Sequence, residues 1–139
     1  MGTAGSHVQP SNGRTILVVD DDASVLHLVR VILSTAGYEV LAADNGWNAI
    51  RIFENTATPI HLLLTDVMMP DLTGPVLASR LQTLKPDLRV LFISGFHDSA
   101  MIQQFASLKG FPVVPKPFTR DGLLRAVAGV LDALPPAPR

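Results

Sequence analysis

Short apolar, β-branched runs alternate along this chain with stretches of helical spacing, at intervals of roughly 20 to 25 residues. Few folds accommodate that pattern. Thr15-Ile-Leu-Val-Val19 has no polar alternation, which marks a strand buried on both faces of a sheet. Val25, Leu28, Val29, Ile32 and Ala36 then recur at helical spacing, and Gly37 supplies a stop. Tyr38 to Ala42 reads as a second strand, and Asn45-Gly46 opens a helix with Ala49, Ile50 and Phe53 on one face. Ile60 to Thr65 is a third strand. After a loop from Pro70 to Gly74, Val76, Leu77, Leu81 and Leu84 make a third helix, which ends before Pro86. Arg89 to Ile93 is a fourth strand. Met101, Ile102, Phe105 and Leu108 mark a fourth helix, ended by Gly110. Phe111 to Val114 is a short fifth strand. Thr119 caps a last helix with Leu123, Leu124, Val127 and Leu131 inward. Strands alternating with helices in this way predict right-handed βαβ units around a parallel sheet.

The remainder of the sequence narrows the class. The 139 residues suit one domain with a real core. Residues 1–14 are small, polar and aperiodic, and read as a disordered leader or cloning remnant. Residues 15–134 form the predicted domain, and the prolines of 135–139 make a tail that cannot continue a helix. With no cysteine, disulfide frameworks, thiolate zinc sites and cysteine nucleophiles are excluded. A net charge of −1 advertises neither a nucleic-acid nor a membrane surface, and no apolar run approaches a membrane span. The expected location is cytoplasmic. Asp outnumbers Glu ten to two, and Asp favours caps, loops and metal sites over exposed helix faces.

Ligands of parallel α/β sheets bind beyond the carboxyl ends of the strands. There the first strand runs into Asp20-Asp21-Asp22, the third into Asp66, the fourth into Ser94-Gly95 and the fifth into Lys116-Pro117. A parallel sheet puts all of these on one rim. Asp22 reads as a helix cap. Asp20, Asp21 and Asp66 repel one another unless a cation joins them or one of them is protonated. Magnesium, which takes few carboxylates and keeps room for waters and a phosphate oxygen, suits that set. Lys116 adds a charge and Ser94 a hydroxyl for an incoming phosphoryl group, so the rim suits a carboxylate nucleophile beside a metal.

At these residues the sequence resembles the receiver domain of two-component response regulators. The matching stretches are Ile16-Leu-Val-Val-Asp-Asp-Asp22, Leu62 to Gly74 (LLLTDVMMPDLTG), Val90-Leu-Phe-Ile-Ser-Gly95 and Lys116-Pro-Phe-Thr119. The resemblance implies a flavodoxin-like, doubly wound (βα)5 fold with a five-stranded parallel sheet in strand order 2-1-3-4-5. It implies that Asp66 accepts a phosphoryl group from a sensor histidine kinase or a phosphotransfer domain. Asp20, Asp21, Asp66 and the backbone carbonyl of Met68 would hold Mg2+, Ser94 and Lys116 would bind the phosphoryl group, and the Lys116–Pro117 bond would be cis. Pro70 and Gly74 would shape the loop after the acceptor. Such a domain catalyses only its own phosphorylation and dephosphorylation, and its output is a switch in the face made by the fourth helix, fifth strand and last helix. No direct nucleic-acid contact or membrane insertion is expected. A stand-alone regulator and a piece of a hybrid kinase both stay open.

Two features depart from the receiver pattern. Val113 stands three residues before Lys116, where receivers carry Tyr or Phe, so the switch is expected to be muted or routed through Phe111 or Phe96. Pro112 and Pro115 bracket the fifth strand and confine it to an edge. Val113 also keeps open an alternative, a degenerate receiver acting as a phosphorylation-independent binding module. Haloacid-dehalogenase-like phosphatases place a second Asp two residues after the nucleophile, where this chain has Met68. A flavin-binding domain would need a phosphate-cradling loop where this chain has three aspartates. His27, His61 and His97 are not spaced for a metal, and Trp47 reads as surface-packed.

Overall fold

The computed structural model describes residues 13–95 and 110–132. Most of the expected leader, the proposed fourth helix with Phe96 and His97, and the proline-rich tail lie outside them. Within the described residues the order is β1 (Thr15–Val19), α1 (Ala23–Thr35), β2 (Glu39–Ala43), α2 (Gly46–Asn55), β3 (Leu62–Asp66), α3 (Gly74–Leu84), β4 (Arg89–Ser94), β5 (Val113–Pro115) and a last helix (Arg120–Asp132). The strands pair in parallel in the order β2-β1-β3-β4-β5, as expected for the flavodoxin-like arrangement.

The unbroken apolar strands make sense because helices cover both faces of the sheet. Leu17 and Val19 of β1 point to one face, with Leu63, Val90 and Phe92, and pack with Ala49, Leu77, Ala78 and Leu81 of α2 and α3. Ile16 and Val18 point to the other, with Leu62, Leu64, Leu91 and Ile93, and pack under Val29, Ile32 and Leu33 of α1 and Leu123, Val127 and Leu131 of the last helix. A one-residue slip of β1 would exchange the two sets.

Helix ends follow local chemistry. Asp22 caps α1, its side chain accepting from the N–H groups of Ser24 and Val25, as its place after the strand suggests. Gly37, at φ 99°, lets the Tyr38 N–H return to the Leu33 carbonyl, which closes the helix. Thr119 accepts from the Gly122 N–H at 2.9 Å and starts the last helix.

Several expectations need correction. Of the apolar residues that space the third helix, Val76 and Leu84 are 46% and 55% exposed, because α3 buries the stripe of Gly74, Leu77, Ala78 and Leu81. Leu28 likewise faces out from α1. β2 runs Glu39–Ala43 rather than from Tyr38, since Thr15 pairs with Glu39. β3 starts at Leu62 and includes Asp66, and β4 extends to Ser94. β5 is Val113–Pro115 rather than Phe111–Val114. Pro112 has no N–H for the ladder, although its carbonyl accepts from the Phe92 N–H at 3.1 Å. β5 lies at the sheet edge, as its prolines require.

Candidate functional site

The parallel register delivers the strand tips to one rim. Asp20 follows β1 directly, and its N–H donates to the Ala43 carbonyl at 3.2 Å. One of its carboxylate oxygens, Oδ1, accepts from the Asp22 N–H at 2.8 Å, which folds the acidic triplet into a tight turn. That turn sends Asp22 to the α1 cap and leaves Asp21 exposed at the rim. Asp66 closes β3, opposite Ile93 in the register, and its Oδ1 accepts from the Val67 N–H at 2.9 Å. Ser94 is the next residue of β4, buried, with its hydroxyl donating to the Gly95 carbonyl at 3.1 Å. Lys116 leaves β5 with its N–H on the Ser94 carbonyl at 2.8 Å, and the Lys116–Pro117 bond is cis.

Three carboxylates converge here. One oxygen from each of Asp20, Asp21 and Asp66 can be chosen so that all lie within 4.8 Å of one another. The Lys116 ammonium stands 3.4 Å from Asp20 Oδ2 and 3.6 Å from Asp66 Oδ2. Asp20 is almost fully buried, and its Oδ2 makes no hydrogen bond apart from this ion pair. Burial therefore pushes the Asp20 carboxyl above the usual carboxylate range, against the opposing pull of the Asp22 N–H and Lys116. Burial also opposes the charge on Lys116, but Asp66 and Asp20 together outweigh it and hold the ammonium above its ordinary value. A buried carboxylate oxygen without a hydrogen bond, beside two further carboxylates, is a donor set that fits a hard divalent cation.

The loop after Asp66 is drawn tight. The Gly74 N–H donates to the Val67 carbonyl at 2.7 Å, and a Cβ on Gly74 would lie 2.4 Å from the Asp66 carbonyl oxygen. Only glycine permits that approach. Met68, expected to offer its backbone carbonyl, lies two residues past Asp66 with its side chain 42% exposed. Val113 is half-buried opposite Phe92 in β5, while the Phe111 ring meets Phe92 edge-on at 5.7 Å.

Residues outside the rim keep structural roles. His27 is exposed on α1. His61 accepts from the Thr15 N–H through Nδ1 at 3.0 Å. Trp47 is 52% exposed on α2, with the Arg80 guanidinium 5.0 Å from the ring centre. One residue escapes sequence reasoning altogether. Asp71, within the expected loop, accepts from the N–H groups of Gly46 and Trp47 at 3.1 and 3.0 Å. Those partners lie 25 and 24 residues upstream, and the Pro-Asp pair signals only a turn.

The sequence profile of the response regulator receiver domain matches residues 16–128. The chain is 33% identical over 120 residues to the response regulator receiver protein CpdR of Brucella abortus, covering 86% of this chain and 98% of that protein. It is 30% identical over 122 residues to the sensor kinase CckA of the same organism, covering 88% of this chain but 13% of the kinase. Among solved structures, a receiver domain protein from Clostridium thermocellum superposes with a TM-score of 0.77 at 28% identity, covering 86% of this chain and 94% of that one. The match takes in residues from all five strands and all four strand tips that form the acidic rim, and the chain belongs to the response regulator receiver domain family.

Proposed function

We propose that this chain accepts a phosphoryl group on Asp66 from the phosphohistidine of a sensor histidine kinase or a phosphotransfer domain, in the cytoplasm, and later releases it. The observation that carries this reading is the placement of Lys116 between Asp20 and Asp66, at 3.4 and 3.6 Å, beside a third carboxylate. One relative of 29% identity, over 81% of this chain, is the sporulation initiation phosphotransferase F of Bacillus subtilis, whose name carries the same chemistry.

In this reading an Asp66 carboxylate oxygen attacks phosphorus. The O–P bond forms as the P–N bond to the donor imidazole breaks, and the imidazole leaves with the bonding pair. The protein's share is positioning and charge neutralisation. Asp20, Asp21, Asp66 and the Met68 carbonyl would hold Mg2+, which when bound supplies positive charge against the phosphoryl oxygens. The Lys116 ammonium, already set between two carboxylates, pairs with a phosphoryl oxygen. The Ser94 hydroxyl exchanges its Gly95 carbonyl partner for another. Because Lys116 and Ser94 are joined through the 2.8 Å main-chain bond between β4 and β5, a pull on either moves both strand ends. The output is a population shift in the β5 and last-helix face. With Val113 in place of an aromatic, Phe92, which faces Val113 in the ladder, and Phe111, seated edge-on against Phe92 at 5.7 Å, are aromatics beside that strand.

Intact-mass measurement after incubation with Mg2+ and acetyl phosphate tests the proposal. The wild type is expected to gain one phosphoryl group, and Asp66→Ala none. A wild type that gains nothing refutes phosphoacceptance and favours a degenerate binding module. Steady turnover of an added phosphoester would favour a phosphatase.

A further inference from the structure

The rim is closed by a second connection that the four strand tips do not provide. From Asp66 the chain bulges through Met68, Pro70 and Asp71 before Gly74 returns it to the Val67 carbonyl. Pro70 has no N–H to anchor that bulge. Its tip is instead fastened to α2. The Asp71 carboxylate receives the first two N–H groups of the helix, Gly46 through Oδ1 and Trp47 through Oδ2. Asn45 receives the third donor, that of Asn48, at 2.8 Å. The Leu72 side chain lies over Gly46 so closely that a Cβ there would meet it at 2.7 Å. These amides, with the Leu72 N–H, hold the Asp71 carboxyl below the usual carboxylate range against a desolvation penalty, so the strap carries a negative charge at the positive end of a helix.

The strap matters because of what lies at its two ends. The α2 start follows Ala43, whose carbonyl accepts from the Asp20 N–H at 3.2 Å. A closed path thus runs from Asp20 to Ala43, along the chain to Gly46, across to Asp71, and back along the chain through Met68 to Asp66. Two of the expected metal-binding carboxylates and the Met68 carbonyl lie on that path.

We propose that Asp71 is a positioning residue for the metal site, holding the Met68 segment at a fixed distance from Asp20 through the N-terminus of α2. The proposal rests on the phosphoacceptor reading, because it needs a cation at Asp20, Asp21 and Asp66. Asp71 touches neither the cation nor the phosphoryl group; it acts through the loop.

Calorimetric titration with Mg2+ alone compares the wild type, Asp71→Ala and Asp71→Asn, with thermal unfolding recorded in parallel. Loss of a partner that orients metal ligands costs roughly 10-fold or more in affinity. Asp71→Ala is therefore expected to bind Mg2+ about tenfold more weakly while still unfolding cooperatively. Asp71→Asn, which keeps one oxygen acceptor, is expected between the two. Equal affinity in the wild type and Asp71→Ala overturns the positioning role and leaves the phosphoacceptor reading intact. If Asp71→Ala does not fold, the Asp71→Asn comparison decides by the same criterion. A wild type that binds no Mg2+ overturns both, and is distinguished by failing before any variant is compared.

Discussion

Replacing Gly74 by alanine offers a clean test of how tightly the loop after Asp66 is built. The added methyl would sit 2.4 Å from the Asp66 carbonyl oxygen and 3.1 Å from the Val67 Cα. Both are main-chain atoms, so no rotamer change relieves the clash. Either the start of α3 or the end of β3 must move, and the 2.7 Å bond from Gly74 to Val67 opposes their separation. Forcing an extra carbon into a packed site costs about 1–3 kcal/mol. For a domain of this size that lowers the melting temperature by roughly 3–15 °C. Gly129→Ala is the control. Gly129 lies within the last helix with nothing within 4 Å of the added carbon. There alanine should stabilise by about 0.4–1 kcal/mol through helix propensity and unfolded-state entropy. Urea and thermal unfolding of both variants measure the effects, and Mg2+ titration of Gly74→Ala should show weaker binding, because Asp66 rides on the displaced backbone. A Gly74→Ala protein as stable as the wild type, or one that shifts in the same direction as Gly129→Ala, refutes the reasoning.

Two further outcomes follow from the packing. His61 is held below its ordinary value of 6.5 by burial first and then by Lys85, Arg14 and Arg89, while its Nδ1 serves as acceptor for Thr15. Below 6.5 the unfolded chain therefore binds more protons than the folded one, so stability should rise with pH up to that value and then level off. Urea midpoints across pH should lose this component in His61→Gln, and an unchanged slope contradicts it. On α3, Leu81→Ala should cost about 2–5 kcal/mol whereas Leu84→Ala should cost less than about 0.5, and equal costs would show that the buried stripe is wrongly assigned.

What the sequence discloses depends on how local the physics is. The strand tips were readable because a strand buried on both faces is a continuous apolar run, and because parallel strands end on one rim. Asp20, Asp66, Ser94 and Lys116 are therefore placed by order alone. The Asp22 cap and the Gly37 stop are likewise local, each closing a bond across no more than five residues. Helix faces were less legible. Val76, Leu77, Leu81 and Leu84 fit two overlapping stripes, and the choice is made by contact with Leu63 and Phe92 across the sheet. Strand limits moved by one or two residues because the ladder is set by the neighbour: Glu39 is the first residue of β2 because Thr15 faces it. Asp71 was out of reach, since its role lies in amides far upstream that no spacing rule connects to it.

The proposed chemistry turns on one carboxylate, that of Asp66. Treating the protein with Mg2+ and phosphoramidate, then reducing with borohydride, converts an acyl phosphate into an alcohol that peptide mapping can locate. Homoserine is expected at position 66, and none when Mg2+ is withheld. Reduction at Asp20 or Asp21 instead, or at no residue, would contradict that chemistry.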